Sequence, residues 1–267
     1  MASSVEITGT VDGNAASVVA ATREARRIGW FEVALVLTLL DASIWIAGAQ
    51  LGIAWPGLGG DLGLHRDAAT RWLTDGSPYL PVQLTGPYDV WALQPMPFLY
   101  PPSMLPLFVA FLYLPGVLWY VIPLGVTIVA IAVHRPTRTQ IIVMLLLLAW
   151  PQTISSLISG NVLMWVLAAL AVGTHVPAIS PLVFLKPSLF PFGFWNAQRG
   201  SWWAGLAVVI LAAIPFGHLW AEWATALFDS RQSLGLLYSI YQVPALLIPL
   251  VPVLRDPRRQ LMVRASG

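Results

Sequence analysis

PAISPLVFLKPSLFPFGF, residues 177–194, is an apolar run long enough to enter a bilayer, broken in its middle by Lys186 and Pro187. Lys186 is the single lysine among 14 Lys and Arg residues. A cation at membrane depth loses most of its hydration, so it needs an anionic partner, a polar cavity or a route to the interface. That requirement makes Lys186 the first candidate functional residue. The plainer alternative is a lysine that snorkels to a membrane surface.

Bulk composition agrees with a membrane setting. The chain has 267 residues, 57% hydrophobic and 10% charged, with a mean hydropathy of +0.74. Soluble domains carry about a quarter charged residues. These values predict a multi-pass membrane protein, and the apolar segments read below make it an all-α transmembrane bundle of about 7–9 membrane helices, some broken or re-entrant. Cysteine is absent, which rules out disulfides, a thiolate nucleophile and Cys-based metal sites. The net charge of +2 comes from short arginine clusters that report orientation and not nucleic-acid binding.

Residues 1–29 read as a disordered cytoplasmic tail, 30–254 as the integral membrane domain and 255–267 as a second cytoplasmic tail. A first membrane helix is expected from about Trp30 to Trp55, with Asp41 near its middle. From Asp61 to Asp75 the apolar residues Leu62, Leu64, Ala68, Ala69, Trp72 and Leu73 recur at helical spacing. Asp61, His65, Arg66, Asp67 and Arg71 supply the polar side, and Gly76 with Pro78 stops the helix. A helix of this length and pattern lies in the membrane interface. The proline-rich stretch 77–100 then reads as an ordered loop.

Residues 101–133 carry no charge and are broken at Pro115 and Gly116, as an interfacial half-helix followed by one span. Further spans are expected over Ile141–Ile158, Val162–His175, Trp202–Trp220 and Leu236–Leu254, with a polar loop carrying Glu222, Asp229 and Arg231 before the last. The arginine clusters at 23–27, 135–138, 199 and 255–259 belong on the cytoplasmic side by the positive-inside rule. Residues 56–100 then form the first extracytoplasmic loop. The run around Lys186 becomes two short half-helices meeting at Lys186 and Pro187, an arrangement tolerated at membrane depth only where it lines a cavity. Asp61, Asn161 and Lys186 converge on one extracytoplasmic face.

Several motifs occur in a definite order: GGDLGLHRDAATRWLTDGSPY (59–79), YPP at Tyr100–Pro102, a Gly160–Asn161 turn, Lys186–Pro187, and SRQSLGLL (230–237). In this order they resemble the GT-C-fold, polyprenyl-phosphate-sugar-dependent glycosyltransferases, in particular the family that includes mycobacterial phosphatidylinositol mannoside mannosyltransferases. The chain departs from that pattern where it reads SGNVL (159–163) against the family's usual GQxN, and where His65 stands at a position often held by tyrosine. Members of the family are also commonly longer.

The resemblance implies a plasma-membrane enzyme with an extracytoplasmic active site. It would transfer mannose or a similar hexose or pentose, with inversion, from a polyprenyl-phosphate donor to a hydroxyl of a glycolipid or glycan acceptor. Asp61 is the candidate base, since a carboxylate must sit within hydrogen-bond reach of the proton it removes; the competing role is an N-cap of its helix. Lys186 with Arg66 or Arg71 would meet the donor phosphate. His65 would orient the acid or bind an acceptor hydroxyl. Tyr79, Tyr100 and Asn161 would line the substrate, and Trp91 or Trp72 would stack on a sugar. Asp67 and Arg71 have the spacing of a surface ion pair, and His175 and His218 read as interfacial or core residues. No metal-ligand spacing and no nucleotide loop is present, so no cofactor is expected beyond the lipid-linked donor. The competing class is a non-catalytic lipid-binding subunit or transporter built on the same fold.

Overall fold

The computed structural model describes residue 39 and residues 59–90, 92–93, 95–230 and 240–253. The expected helix Trp30–Trp55 with Asp41, the tails, Trp91 and most of 230–237 lie outside the described residues. Those that are described form helices and connections, with one isolated β-type bridge between Tyr88 and Ser230.

The first helix, α1, runs from Gly60 to Asp75 between two glycines in the left-handed region, Gly59 (φ 85°) and Gly76 (φ 81°). It buries Leu62, His65, Ala68 and Ala69, a stripe at helical spacing whose two alanines let the next helix approach closely. His65 therefore belongs to the core side of α1 and Leu73, 53% exposed, to the outside, which reverses the faces expected for these two residues. The periodicity fixed the helix but not which polar residue turns inward.

Pro101 and Pro102 start the next helix, where their missing N–H groups cost nothing. After one 3-10 turn, α2 spans Leu105–Tyr113 and ends at the extended residue Leu114. α3, Leu118–Val133, leaves it at a bend of 118°. The capping box Thr137–Gln140 opens α4, Arg138–Leu148. The expected span Ile141–Ile158 is instead two helices, because Pro151 forces a bend of 68° between α4 and α5, Pro151–Ser159. α6, Leu163–Gly173, is buried around most of its circumference, between α3 and the Lys186 region.

That region is broken at Lys186, as the sequence requires, but its two halves are 3-10 helices, Pro177–Leu185 and Pro187–Phe194. Prolines at 177, 181, 187 and 191 remove the donors that an α-helix would use. Pro177–Leu185 packs against both α6 and α7, Gly200–Ala213. A Cβ on Gly205 of α7 would stand 1.9 Å from the Ala178 carbonyl oxygen, so this contact needs a residue without a side chain.

α7 continues through a 3-10 turn, Ile214–Phe216, into α8, Gly217–Phe228. Together they form a 29-residue helix whose most apolar 18-residue stretch has a mean hydropathy of 1.9, long and apolar enough to cross a membrane, and among the described residues the two bent pairs α2–α3 and α4–α5 bring the possible spans to three. Glu222 lies on α8 and not in the expected loop. The last described α-helix is α9, Val243–Leu247, followed by a 3-10 turn, Val251–Val253.

α1 and its flanking residues are tied to three other helices. At its start Gly59 N donates to Ile158 O of α5 (3.1 Å), and in its middle Arg66 bonds carbonyls at the end of α2. Past its end, Ser77 Oγ donates to Glu222 Oε2 of α8 (2.6 Å). The loop 77–100 is fixed to α8 by Tyr88 N on Asp229 O (3.0 Å) and Trp223 Nε1 on Leu99 O (3.0 Å).

The Gly205 contact yields a direct test. Gly205→Ala should destabilise the protein by at least about 1–3 kcal/mol, whereas Gly200→Ala, with open space around its Cβ position, should leave the melting temperature near wild type. Thermal unfolding in nanodiscs reads both, and equal melting temperatures would contradict the packing.

Candidate functional site

The turn that ends α5 builds the site. Gly160 is left-handed (φ 75°), and a Cβ there would stand 2.8 Å from the Tyr120 hydroxyl oxygen, so both conformation and space require glycine. Asn161 N donates to Ser156 O (2.9 Å), and the buried Trp119 Nε1 donates to Gly160 O (2.6 Å). Held in this way, the residues on either side of Gly160 meet the same carboxylate. Ser159 Oγ donates to Asp61 Oδ2 at 2.9 Å and Asn161 Nδ2 donates to it at 2.7 Å.

The Asn161 amide faces two ways. Its Oδ1 accepts from Leu163 N (3.0 Å) and from Lys186 Nζ (2.7 Å), while its Nδ2 serves Asp61. Two donors on one side and a carboxylate on the other fix the orientation of the amide, because a flip would set N–H against N–H and oxygen against oxygen. Lys186 is fully buried and its ammonium lies 5.5 Å from the centre of the Tyr100 ring. A buried cation is thus joined to an acid through one neutral amide. Asp61 is the second residue of α1, and Gly59 holds the N-cap position without a side-chain bond. The N-cap role for Asp61 is therefore overturned.

His65, one turn along from Asp61, points into the core. Its ring stacks on Phe108 (4.5 Å, 16°) and meets Tyr100 edge-on (5.0 Å, 86°). Neither ring nitrogen has a hydrogen-bond partner among the described residues. Burial, and secondarily the Lys186 ammonium, push its pKa from 6.5 down to about 3, so it is neutral at ordinary pH. In this arrangement it neither orients Asp61 nor reaches a hydroxyl.

The Tyr79 hydroxyl donates to Tyr100 O (2.9 Å), and burial, followed by the Glu222 charge, raises its pKa. Of the two, Tyr100 is the one whose ring faces the Lys186 ammonium. Arg66 Nε donates to Phe111 O (2.8 Å) and Nη2 to Leu114 O (3.2 Å), so the guanidinium caps the C-terminal end of α2. Arg71 donates from Nε (3.1 Å) and Nη2 (2.9 Å) to Pro78 O, closing the turn after α1, while the Asp67 and Asp75 charges act on it as well. Neither arginine joins the Asp61–Asn161–Lys186 group. Trp91 lies outside the described residues, and Trp72 packs near Phe216, ring centres 5.7 Å apart.

Reasoning from sequence missed Ser159, whose partner is 98 residues away, and Gln242, which donates to Ser156 Oγ (3.1 Å). The only signal for Ser159 was its place in SGNVL beside the Gly–Asn turn. Among the described residues no group of three or more His, Asp or Glu could hold a metal.

The buried His65 predicts a pH effect. The unfolded chain takes up a proton below about 6.5, while the folded chain resists until about 3. Stability must therefore fall as pH drops through that window, by up to about 1.4 kcal/mol per unit. His65→Leu removes this proton uptake, so wild type should lose melting temperature relative to the variant between about pH 7 and about pH 5; parallel curves would contradict a neutral buried imidazole. In comparisons with known proteins, the chain matches no family model, no curated protein and no solved structure.

Proposed function

We propose that this chain is a multi-pass membrane glycosyltransferase of GT-C type, with 7–9 membrane helices counted with its broken ones and its site on the extracytoplasmic side of the plasma membrane. It transfers a hexose or pentose from a polyprenyl-phosphate donor to an acceptor hydroxyl with inversion, without a metal. The supporting observation is the group Asp61–Asn161–Lys186 on elements that the sequence motifs mark. Both protein donors go to Asp61 Oδ2, and no described residue bonds Oδ1. One carboxylate oxygen is held and the other is free to receive a proton.

In this reading the acceptor O–H gives its proton to Asp61 as its oxygen attacks the anomeric carbon. The bond from that carbon to the phosphate oxygen breaks, and polyprenyl phosphate leaves as an anion. The leaving group needs compensating charge more than a proton. Lys186, which spends one N–H on Asn161, is the cation proposed for that role. Arg66 and Arg71 keep their carbonyl contacts and shape the rim.

The alternative of a non-catalytic lipid-binding subunit or transporter makes opposite predictions. Purified protein in nanodiscs, offered a panel of polyprenyl-phosphate sugars, should transfer at least one sugar, and Asp61→Asn should lower turnover by about 100-fold or more with the fold intact. Lys186→Met should weaken donor binding by about 1.5–3 kcal/mol without lowering the melting temperature. No transfer from any donor, or full activity in Asp61→Asn, would refute the proposal.

A further inference from the structure

Charge is divided between the two ends of the described structure. No Asp or Glu occurs between Asp89 and Glu222. The carboxylates of the described residues sit on α1, in the loop after it, and on α8 and its C-cap. α3 begins beside α1, where the Tyr120 hydroxyl donates to Ile158 O (3.3 Å), and its 16 residues carry the chain about 24 Å away. Arg135 and Arg138 follow at that far end, and neither α3, α4, α6 nor α7 carries an acid to pair with them.

Hydrogen bonds gather the far end from three connections. His134 Nε2 donates to Thr174 Oγ1 (2.7 Å), His175 Nε2 donates to Ala130 O (2.9 Å), and Asn196 Nδ2 donates to Gly173 O (2.9 Å). The donor in the first bond follows from Thr174, whose own hydroxyl proton goes to Ala171 O (2.7 Å). The two imidazoles stack with ring centres 4.0 Å apart at 19°. Their Nε2–H groups are spent in fastening the segments after α3 and α6, and Asn196 fastens the segment before α7.

The arginines carried by these segments are not spent in that way. Arg135 adjoins His134, Arg199 follows Asn196 by three residues, and both are exposed. Unlike Arg66 and Arg71, neither side chain donates to a carbonyl of the described residues. Among those residues the two non-glycines with left-handed backbones, Arg135 (φ 51°) and Asn196 (φ 67°), both lie here. Such conformations are uncommon and gather at ligand-binding segments. Trp203, four residues after Arg199 and so on the same side of α7, is exposed, as an indole at headgroup depth is. Val133 and Val176 expose apolar surface beside the histidines.

Two guanidiniums without acids, next to an interfacial indole and exposed apolar side chains, complement a phosphate that carries acyl chains. We infer that Arg135 and Arg199, brought together by the His134–His175 stack and Asn196, form a headgroup site for an anionic phospholipid in the leaflet away from Asp61. The phosphate meets the guanidiniums, and the acyl chains lie along Val133, Val176 and Trp203. The site requires the membrane placement proposed above and none of the transferase chemistry.

Full-length protein is reconstituted in phosphatidylcholine nanodiscs that contain a minority of phosphatidylglycerol. The lipids that stay bound after transfer to detergent are then counted by native mass spectrometry. Wild type should retain phosphatidylglycerol in preference to phosphatidylcholine. Replacing both arginines, Arg135→Gln with Arg199→Gln, should lower that preference by about tenfold or more, the scale set by two arginines beside an anionic headgroup. Arg258→Gln, which removes an arginine of the C-terminal tail, should leave it unchanged. Both site arginines are exposed, so the fold is retained, and equal melting temperatures in pure phosphatidylcholine verify it. No preference in wild type, or an undiminished one in the double variant, would overturn the site. An equal loss in Arg258→Gln would reveal general attraction of a basic surface and overturn it as well. Retention of phosphatidylglycerol by a chain that transfers no sugar would refute the transferase reading and leave the site standing. Purification from the soluble fraction without lipid would refute the membrane placement and the site together.

Discussion

The buried ammonium of Lys186 is the constraint around which the described part of the chain is arranged. It is fully buried at the junction of two 3-10 segments, where its backbone N–H already serves Val183 O (3.0 Å). An isolated cation in such a place is costly, and breaking its contacts leaves the charge stranded. Asn161 removes that problem by accepting from Lys186 while donating to Asp61. An amide polarised by a cation on one side and an anion on the other makes both bonds stronger than either alone. Every element that touches the group is fixed by this need: the Gly160 turn that aims Asn161, the start of α1 that carries Asp61, and the proline-broken run that carries the lysine.

A second consequence is the anchoring of α1. It is fastened at one end by Gly59 to α5, in its middle by Arg66 to the end of α2, and past its other end by Ser77 to α8. Arg66 and Arg71, expected as phosphate ligands, instead satisfy carbonyls that helix ends and turns leave without partners. Asp61 opens α1, and Ser77, just past its other end, carries the bond to Glu222 of α8.

The sequence showed clearly those features that depend on local physics. Gly76 as a stop, the proline loop after it, the break at Pro115 and Gly116, and the interruption at Lys186 all follow from backbone donors and conformations that neighbouring residues settle. Arginine placement alone implies a topology that puts Asp61, Asn161 and Lys186 on one face, and the Asn161 amide does join the other two. What remained hidden depends on distant partners. Helical periodicity cannot tell a histidine stacked on Phe108 from one facing water, and Ser159 has no mark of its own beyond its place in the turn. Glu222 was assigned to a loop because Trp220 looked like the end of a span, yet Ala, Leu and Glu carry the helix on to Phe228.

The most direct test of the central claim is energetic coupling between Asp61 and Lys186, carried by Asn161. Unfolding free energies of wild type, Asp61→Asn, Lys186→Met and the double variant form one cycle, and the same four in an Asn161→Ala background form another. With Asn161 present the coupling should lie in the range of about 0.5–3 kcal/mol, and without it the two substitutions should become additive within about 0.5 kcal/mol. Additivity in the first cycle, or coupling that survives in the second, would contradict the amide relay.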